Sequence, residues 1–228
     1  MKIFSSVLNF IFPAECHVCG EKLGPAERYI CPFCLSKMPR TLYHRMKDNP
    51  MERRFMGQFP FRAATGHFFY SRGSEISQLI QDMKYRGFKG LGRHLGSIVA
   101  AELLPTGFLS EIDVIVPVPM HFYKKARRGF NQTEEIALGI KDVTSVPISL
   151  NLRAGKGHKT QTSLTLDQRR VNLEGVFKVK NPGELSGKRV LLVDDVCTTG
   201  ATLSSAACCL VSDVQGIELS LLSIGVTF

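Results

Sequence analysis

The chain has 228 residues, enough for one α/β core with a small addition, and its 44% hydrophobic and 21% charged residues exclude wholesale disorder. Twenty-nine Lys and Arg against 20 Asp and Glu leave a net +9, which favours anionic partners such as nucleic acid, nucleotides or acidic membrane surfaces. No stretch approaches the length of a membrane span, and the cysteine pattern, four paired near the N-terminus and three far downstream, suits a reducing cytoplasm better than a disulfide scaffold.

In chain order, Ile3, Phe4, Val7, Leu8 and Ile11 recur at helical spacing, which predicts a short amphipathic helix packed on its own protein rather than an export leader. Cys16-His17-Val18-Cys19 and Cys31-Pro32-Phe33-Cys34 follow as two CxxC pairs with eleven residues between them. Each pair can turn two thiolates toward one ion, so Cys16, Cys19, Cys31 and Cys34 are the expected ligands of a structural Zn2+ in a ribbon-like module over 1–44. Two reactive dithiols or an iron–sulfur centre are the competing readings; neither explains both the symmetric spacing and the scarcity of local apolar residues. His17 is expected outside a filled four-thiolate shell. A closed site of this kind leaves no position for substrate, so its role would be folding, docking or nucleic-acid contact. Residues 45–62, rich in charge, Met and Pro, read as a linker to a second unit over 63–228.

That unit alternates strand and helix signals. Ala63 to Tyr70 predicts a strand, and Ser74 to Lys84 a helix with Ile76, Leu79, Ile80 and Met83 on one stripe. A second helix is expected from Leu91 to Leu104, stopped by Pro105-Thr106-Gly107. Asp113 to Pro119 reads as a strand buried on both faces. Further expectations are a helix from Thr133 to Ile140, strands at Val146 to Leu152, Phe177 to Lys180 and Arg189 to Val193, a helix through Leu210 and a last strand from Ile217 to Val226. The alternation predicts an α/β fold with a doubly wound parallel sheet.

The most specific text is Val193-Asp194-Asp195-Val196-Cys197-Thr198-Thr199-Gly200-Ala201-Thr202. A buried strand delivers two acids at its carboxyl end, where open α/β sheets place ligands, and a turn of small residues then opens a helix. Thr198, Thr199, Gly200, Ala201 and Thr202 can surround a phosphate with amide N–H groups and hydroxyls, at the positive end of the helix dipole. Asp194 and Asp195 are placed to meet ribose hydroxyls, directly or through water around a Mg2+ held mainly by a diphosphate. An ordinary Thr-capped turn is the bland alternative, and the Asp-Asp pair so close to Thr-Thr-Gly-Ala-Thr argues against it. Cys197 needs no chemical role, and Cys208 and Cys209 read as core. Upstream, His121 to Gln132 carries Lys124, Lys125, Arg127 and Arg128, four cations on the same sheet edge as Asp194; they can face a diphosphate or a nucleic-acid backbone.

The Asp-Asp to Thr202 block resembles the signature of type I phosphoribosyltransferases. The resemblance implies that Asp194 and Asp195 contact the ribose of phosphoribosyl pyrophosphate while Thr198 to Thr202 hold its 5'-phosphate. Arg127, Arg128 and Lys84 would neutralise a departing diphosphate. Together with Phe12-Pro13, Lys84-Tyr85-Arg86-Gly87, Pro117-Val118-Pro119, Arg128 to Gln132, Thr160-Gln161 and Arg169-Arg170-Val171-Asn172, the whole sequence resembles the ComF family. That family joins a zinc-ribbon-like module to a phosphoribosyltransferase domain and is associated with natural transformation. The resemblance implies Mg2+ with phosphoribosyl pyrophosphate, single-stranded DNA and the DNA-uptake machinery as partners. A non-catalytic binder of phosphoribosyl pyrophosphate and DNA, or a nucleotide-salvage transferase, stays open as an alternative.

Overall fold

The apolar runs of the sequence become the centre of a parallel sheet in a computed structural model that describes residues 14–120, 128–155 and 176–228. Strands β1 (Ala63–Phe69), β2 (Val114–Pro117), β5 (Arg189–Cys197) and β6 (Glu218–Val226) pair in the order β1-β6-β5-β2, every neighbouring pair parallel. Both faces are covered, which is why the central strands are apolar at successive rather than alternate positions. Leu191 and Val193 of β5 enter one core with Phe68, Ile115, Leu222 and Ile224; Val190 and Leu192 enter the other with Val114, Val116, Leu219 and Leu221.

On the first face lie α3 (Glu75–Tyr85), α4 (Lys89–Leu103) and α5 (Gln132–Thr144). Ser74 caps α3 by accepting from the Ser77 amide, and Ile76, Leu79, Ile80 and Met83 are buried as their spacing requires. Helices α4 and α5 approach so closely that a Cβ added to Gly139 would lie 1.9 Å from the Arg93 carbonyl oxygen, and one on Gly96 would lie 2.1 Å from that of Ile136. The second face carries α6 (Ala201–Asp213), the antiparallel ribbon β3 (Leu152–Ala154) with β4 (Phe177–Val179), and α2 (Pro50–Phe55).

Helix α2 corrects the expectation of a linker over 45–62. Asn49 accepts from the Met51 and Glu52 amides while Glu52 accepts from the Asn49 amide, with Pro50 in the first turn, so the segment starts a helix through a capping box. Met51 and Phe55 are then fully buried, and Asn49 Nδ2 reaches the Ala64 carbonyl at 3.0 Å. The strand expected at Val146 to Leu152 is also shorter: Ile148 makes an isolated parallel bridge to Ile115 at the sheet edge, where Pro147 can accept but not donate, and pairing resumes in β3.

The cysteine module contains α1 (Pro32–Lys37) and shares the core of the first face: Cys16, Ile30, Cys34 and Met38 are buried in the same cluster as α3, α4 and α5. The expected N-terminal amphipathic helix, Lys124, Lys125 and Arg127 of the basic loop, Thr160-Gln161 and Arg169 to Asn172 lie outside the described residues. Among the described residues, no helix is long and apolar enough to cross a membrane.

Candidate functional site

Strand β5 does not stop at Val193. Its pairing with β6 continues through Asp194 opposite Ser223 and Cys197 opposite Val226, so the two acids are held in the sheet at its carboxyl end. Asp194 is 9% exposed and accepts the Asp195 amide at 2.8 Å. Burial, and then the neighbouring charge of Asp195, pushes its carboxyl up to about 7, against a partial pull from that amide and from Lys84. Asp195 faces α3, whose last turn brings the Lys84 ammonium to 2.9 Å.

Beyond β5 the chain turns through Thr198 and Thr199, both exposed, to Gly200, which is buried with φ +81°. Gly200 is the N-cap of α6 and has no side chain with which to cap it, so the first-turn amides of Ala201, Thr202 and Leu203 have no helical acceptor. Ala201 N–H makes a long 3.4 Å contact to Thr199 Oγ1. Thr198, Thr199, Ala201 and Thr202 thus line an exposed turn where free donors and the helix dipole coincide, one residue pair away from the twin acids.

The described part of the basic loop reaches the same corner. The Arg128 guanidinium sits 5.1 Å above the Tyr85 ring, with Tyr85 Oη at 3.5 Å and Gln132 Oε1 at 3.3 Å. Tyr85 follows Lys84 at the end of α3, so one helix end holds Lys84 against Asp195 and Arg128 against the Tyr85 ring. Arg127 lies outside the described residues.

Three contacts at the loop come from residues that the motif-based reading passed over. Arg54 donates to the carbonyls of Thr198 and Thr227; the Phe55 ring lies where a Cβ on Gly200 would meet it at 2.9 Å; and Ser204 Oγ donates to Gln58 Oε1. The signal that could have found them is the Asn49-Pro50-Met51-Glu52 helix start. A cavity of about 780 Å³ lies elsewhere, between the cysteine module and α3, lined by His17, Asp82, Arg86 and Phe88 among others.

The four cysteines do converge. Their sulfurs lie within 4.8 Å of one another, and Cys19 and Cys31 are 3.9 Å apart, close to the ~3.8 Å between vertices of a tetrahedron with bonds of about 2.3 Å. Burial opposes ionisation of Cys16, but the amides of Cys19, Cys31 and Val18 outweigh it and bring the thiol to about 6, while burial and the neighbouring sulfurs push the Cys34 thiol up. His17 points away from the cluster: Nδ1 lies 3.0 Å from Asp82 and the ring packs edge-on to Phe88. The donor set is compatible with structural zinc.

Residues 89–214 match the phosphoribosyl transferase domain family. The chain is 31% identical over 144 residues to Competence protein F of Haemophilus influenzae, an alignment covering 61% of each chain. It is 26% identical over 208 residues to Competence protein ComFC of Bacillus subtilis, covering 90% of this chain and 81% of that one. With DNA utilization protein YhgH of Escherichia coli K12 it shares 28% identity over 204 residues, 84% of this chain and 82% of that one. A domain match over more than half of the chain, with a doubly wound parallel sheet behind it, makes this a member of the phosphoribosyl transferase domain family, of the ComF kind.

Proposed function

We propose that the β5–α6 turn seats the 5'-phosphate of phosphoribosyl pyrophosphate. The observation that carries this reading is the uncapped, exposed N-terminus of α6 shortly after a buried Asp194 and a half-buried Asp195. Thr199 to Thr202 supply amides and hydroxyls to the phosphate dianion, while Asp194 and Asp195 accept from the ribose hydroxyls. A carboxylate already neutralised by Lys84 and another inclined to keep its proton make a poor seat for a bare cation, so Asp194 and Asp195 fit a Mg2+ held chiefly by the diphosphate. When bound, Mg2+ would neutralise diphosphate charge. Lys84 and Arg128 then face the leaving diphosphate, and Asp195, joined by Asp194 in its ionised form, stabilises positive charge growing on the ribose ring as a nucleophile takes C1. Arg127 is proposed for the same corner on sequence grounds.

The relatives carry competence and DNA-utilization names, and the net +9 of this chain suits a polyanion, so single-stranded DNA and the DNA-uptake machinery are the proposed partners and natural transformation the proposed setting. The four thiolates hold Zn2+ as a structural ion. Unbridged cysteines throughout the described residues accord with the cytoplasm.

Calorimetry with Mg2+ and phosphoribosyl pyrophosphate tests the ligand. The double variant Asp194→Ala, Asp195→Ala should bind at least about tenfold more weakly than the natural chain, roughly 1.4 kcal/mol. Equal affinity of the two proteins would remove the acids from the site.

A further inference from the structure

We infer that Arg54, on the helix between the cysteine module and the first sheet strand, is a positioning residue for the phosphate turn, and that α2 is a fixed buttress for it. The inference rests on the phosphate-turn reading above and goes beyond it by assigning a role to a segment that none of the motifs covers.

The geometry is a backbone clamp. One guanidinium nitrogen of Arg54 donates to the Thr198 carbonyl, the first of the turn, and the other donates to the Thr227 carbonyl just past β6. A planar fork with fixed donors suits two carbonyls from neighbouring chain segments, and a lysine ammonium cannot reproduce that span. Thr227 ties the same junction from its own side: its amide donates to the Cys197 carbonyl at 3.1 Å and its hydroxyl to the Thr198 carbonyl at 3.2 Å. With the Thr198 carbonyl held toward the protein, the peptide plane is fixed and the N–H of Thr199 in that plane is directed to the opposite side. That orientation is what a phosphate on the exposed side of the turn needs.

The other α2 contacts hold the rest of the turn. Phe55 packs against Gly200, which has the positive φ that lets α6 begin there, and Gln58 fixes the first full turn of α6 through Ser204. Helix α2 itself cannot drift, because Met51 and Phe55 are fully buried and Asn49 and Glu52 bond both backbone groups of Ala64. Donors preorganised before the ligand arrives need no reorientation on binding.

The test separates the two halves of the ligand. Ribose 5-phosphate reads the turn, and magnesium diphosphate reads the Lys84 and Arg128 corner; affinities for both are measured on the natural chain, Arg54→Ala and Arg54→Lys, with thermal melting as the folding check. The expected result is a loss of about tenfold or more for ribose 5-phosphate in Arg54→Ala, an intermediate loss in Arg54→Lys, and diphosphate affinity within about twofold of the natural chain. Should Arg54→Ala not fold, the Arg54→Lys protein decides alone. Natural affinity for ribose 5-phosphate in the folded variants, or equal losses for both ligands, would overturn the role of Arg54 while leaving the phosphate turn standing. Failure of the natural chain to bind ribose 5-phosphate would overturn both.

Discussion

Asp194 shows how a residue proposed to bind ligand can work against the fold that carries it. Its side chain is buried beside a second acid, and its carboxyl sits near 7, well above the ~3.9 of an unfolded Asp. Between those two values the native chain holds a proton that the unfolded chain has released, so this group's contribution to stability falls as pH rises from about 4 to 7. Asp194→Asn keeps an oxygen to accept the Asp195 amide and removes the charge. The variant should therefore melt higher than the natural chain at pH 8, by about 1–2 kcal/mol in stability, with the difference shrinking toward pH 5. It should also lose phosphoribosyl pyrophosphate. Melting curves of both proteins at the two pH values check this, and a difference that does not change with pH would contradict the account.

At the scale of elements, what the sequence made legible follows from which signals were single-valued. Helices α3, α4 and α5 and strands β1, β2 and β6 appear within a few residues of their expected ends, because one apolar period dominates each and Ser74 and Asn131 sit at the caps. Strand β5 was expected to end at Val193, where apolar residues give way to acids. It runs on to Cys197 because ladder pairing with β6 uses only backbone, so the acidic side chains do not interrupt it. The turn between β5 and α6 was readable since its small residues and Gly200 are dictated locally. Helix α2 was not, because Arg53, Arg54 and two flanking prolines hide two buried apolar residues in a short window, and its purpose depends on Thr198 and Thr227, far away in sequence. The same holds for the Tyr85 platform under Arg128.

At the scale of the whole molecule, the cysteine module is a structural part of the first core rather than a tethered finger. Cys16, Cys34 and Met38 share a cluster with three helices, His17 bonds Asp82, Gln78 donates to the His17 carbonyl at 2.6 Å, and Arg40 grips Glu102 on α4 through two nitrogens. Asp82 lies two residues before Lys84 and one turn before Arg86, so the module braces the helix end that carries Lys84. One zinc per chain is expected by elemental analysis, and a strong chelator should lower the melting temperature of the entire protein by at least about 5 °C, a few kcal/mol for a chain of this size. An unchanged melt after the metal is removed would reduce the module to an independent appendage. The central claim is that free amides at the start of α6 hold a pentose phosphate. An amide NMR titration with ribose 5-phosphate tests it most directly: Thr199, Gly200, Ala201 and Thr202 should show the largest shifts in the spectrum, and saturable shifts centred on any other part of the chain, with these four unmoved, would contradict it.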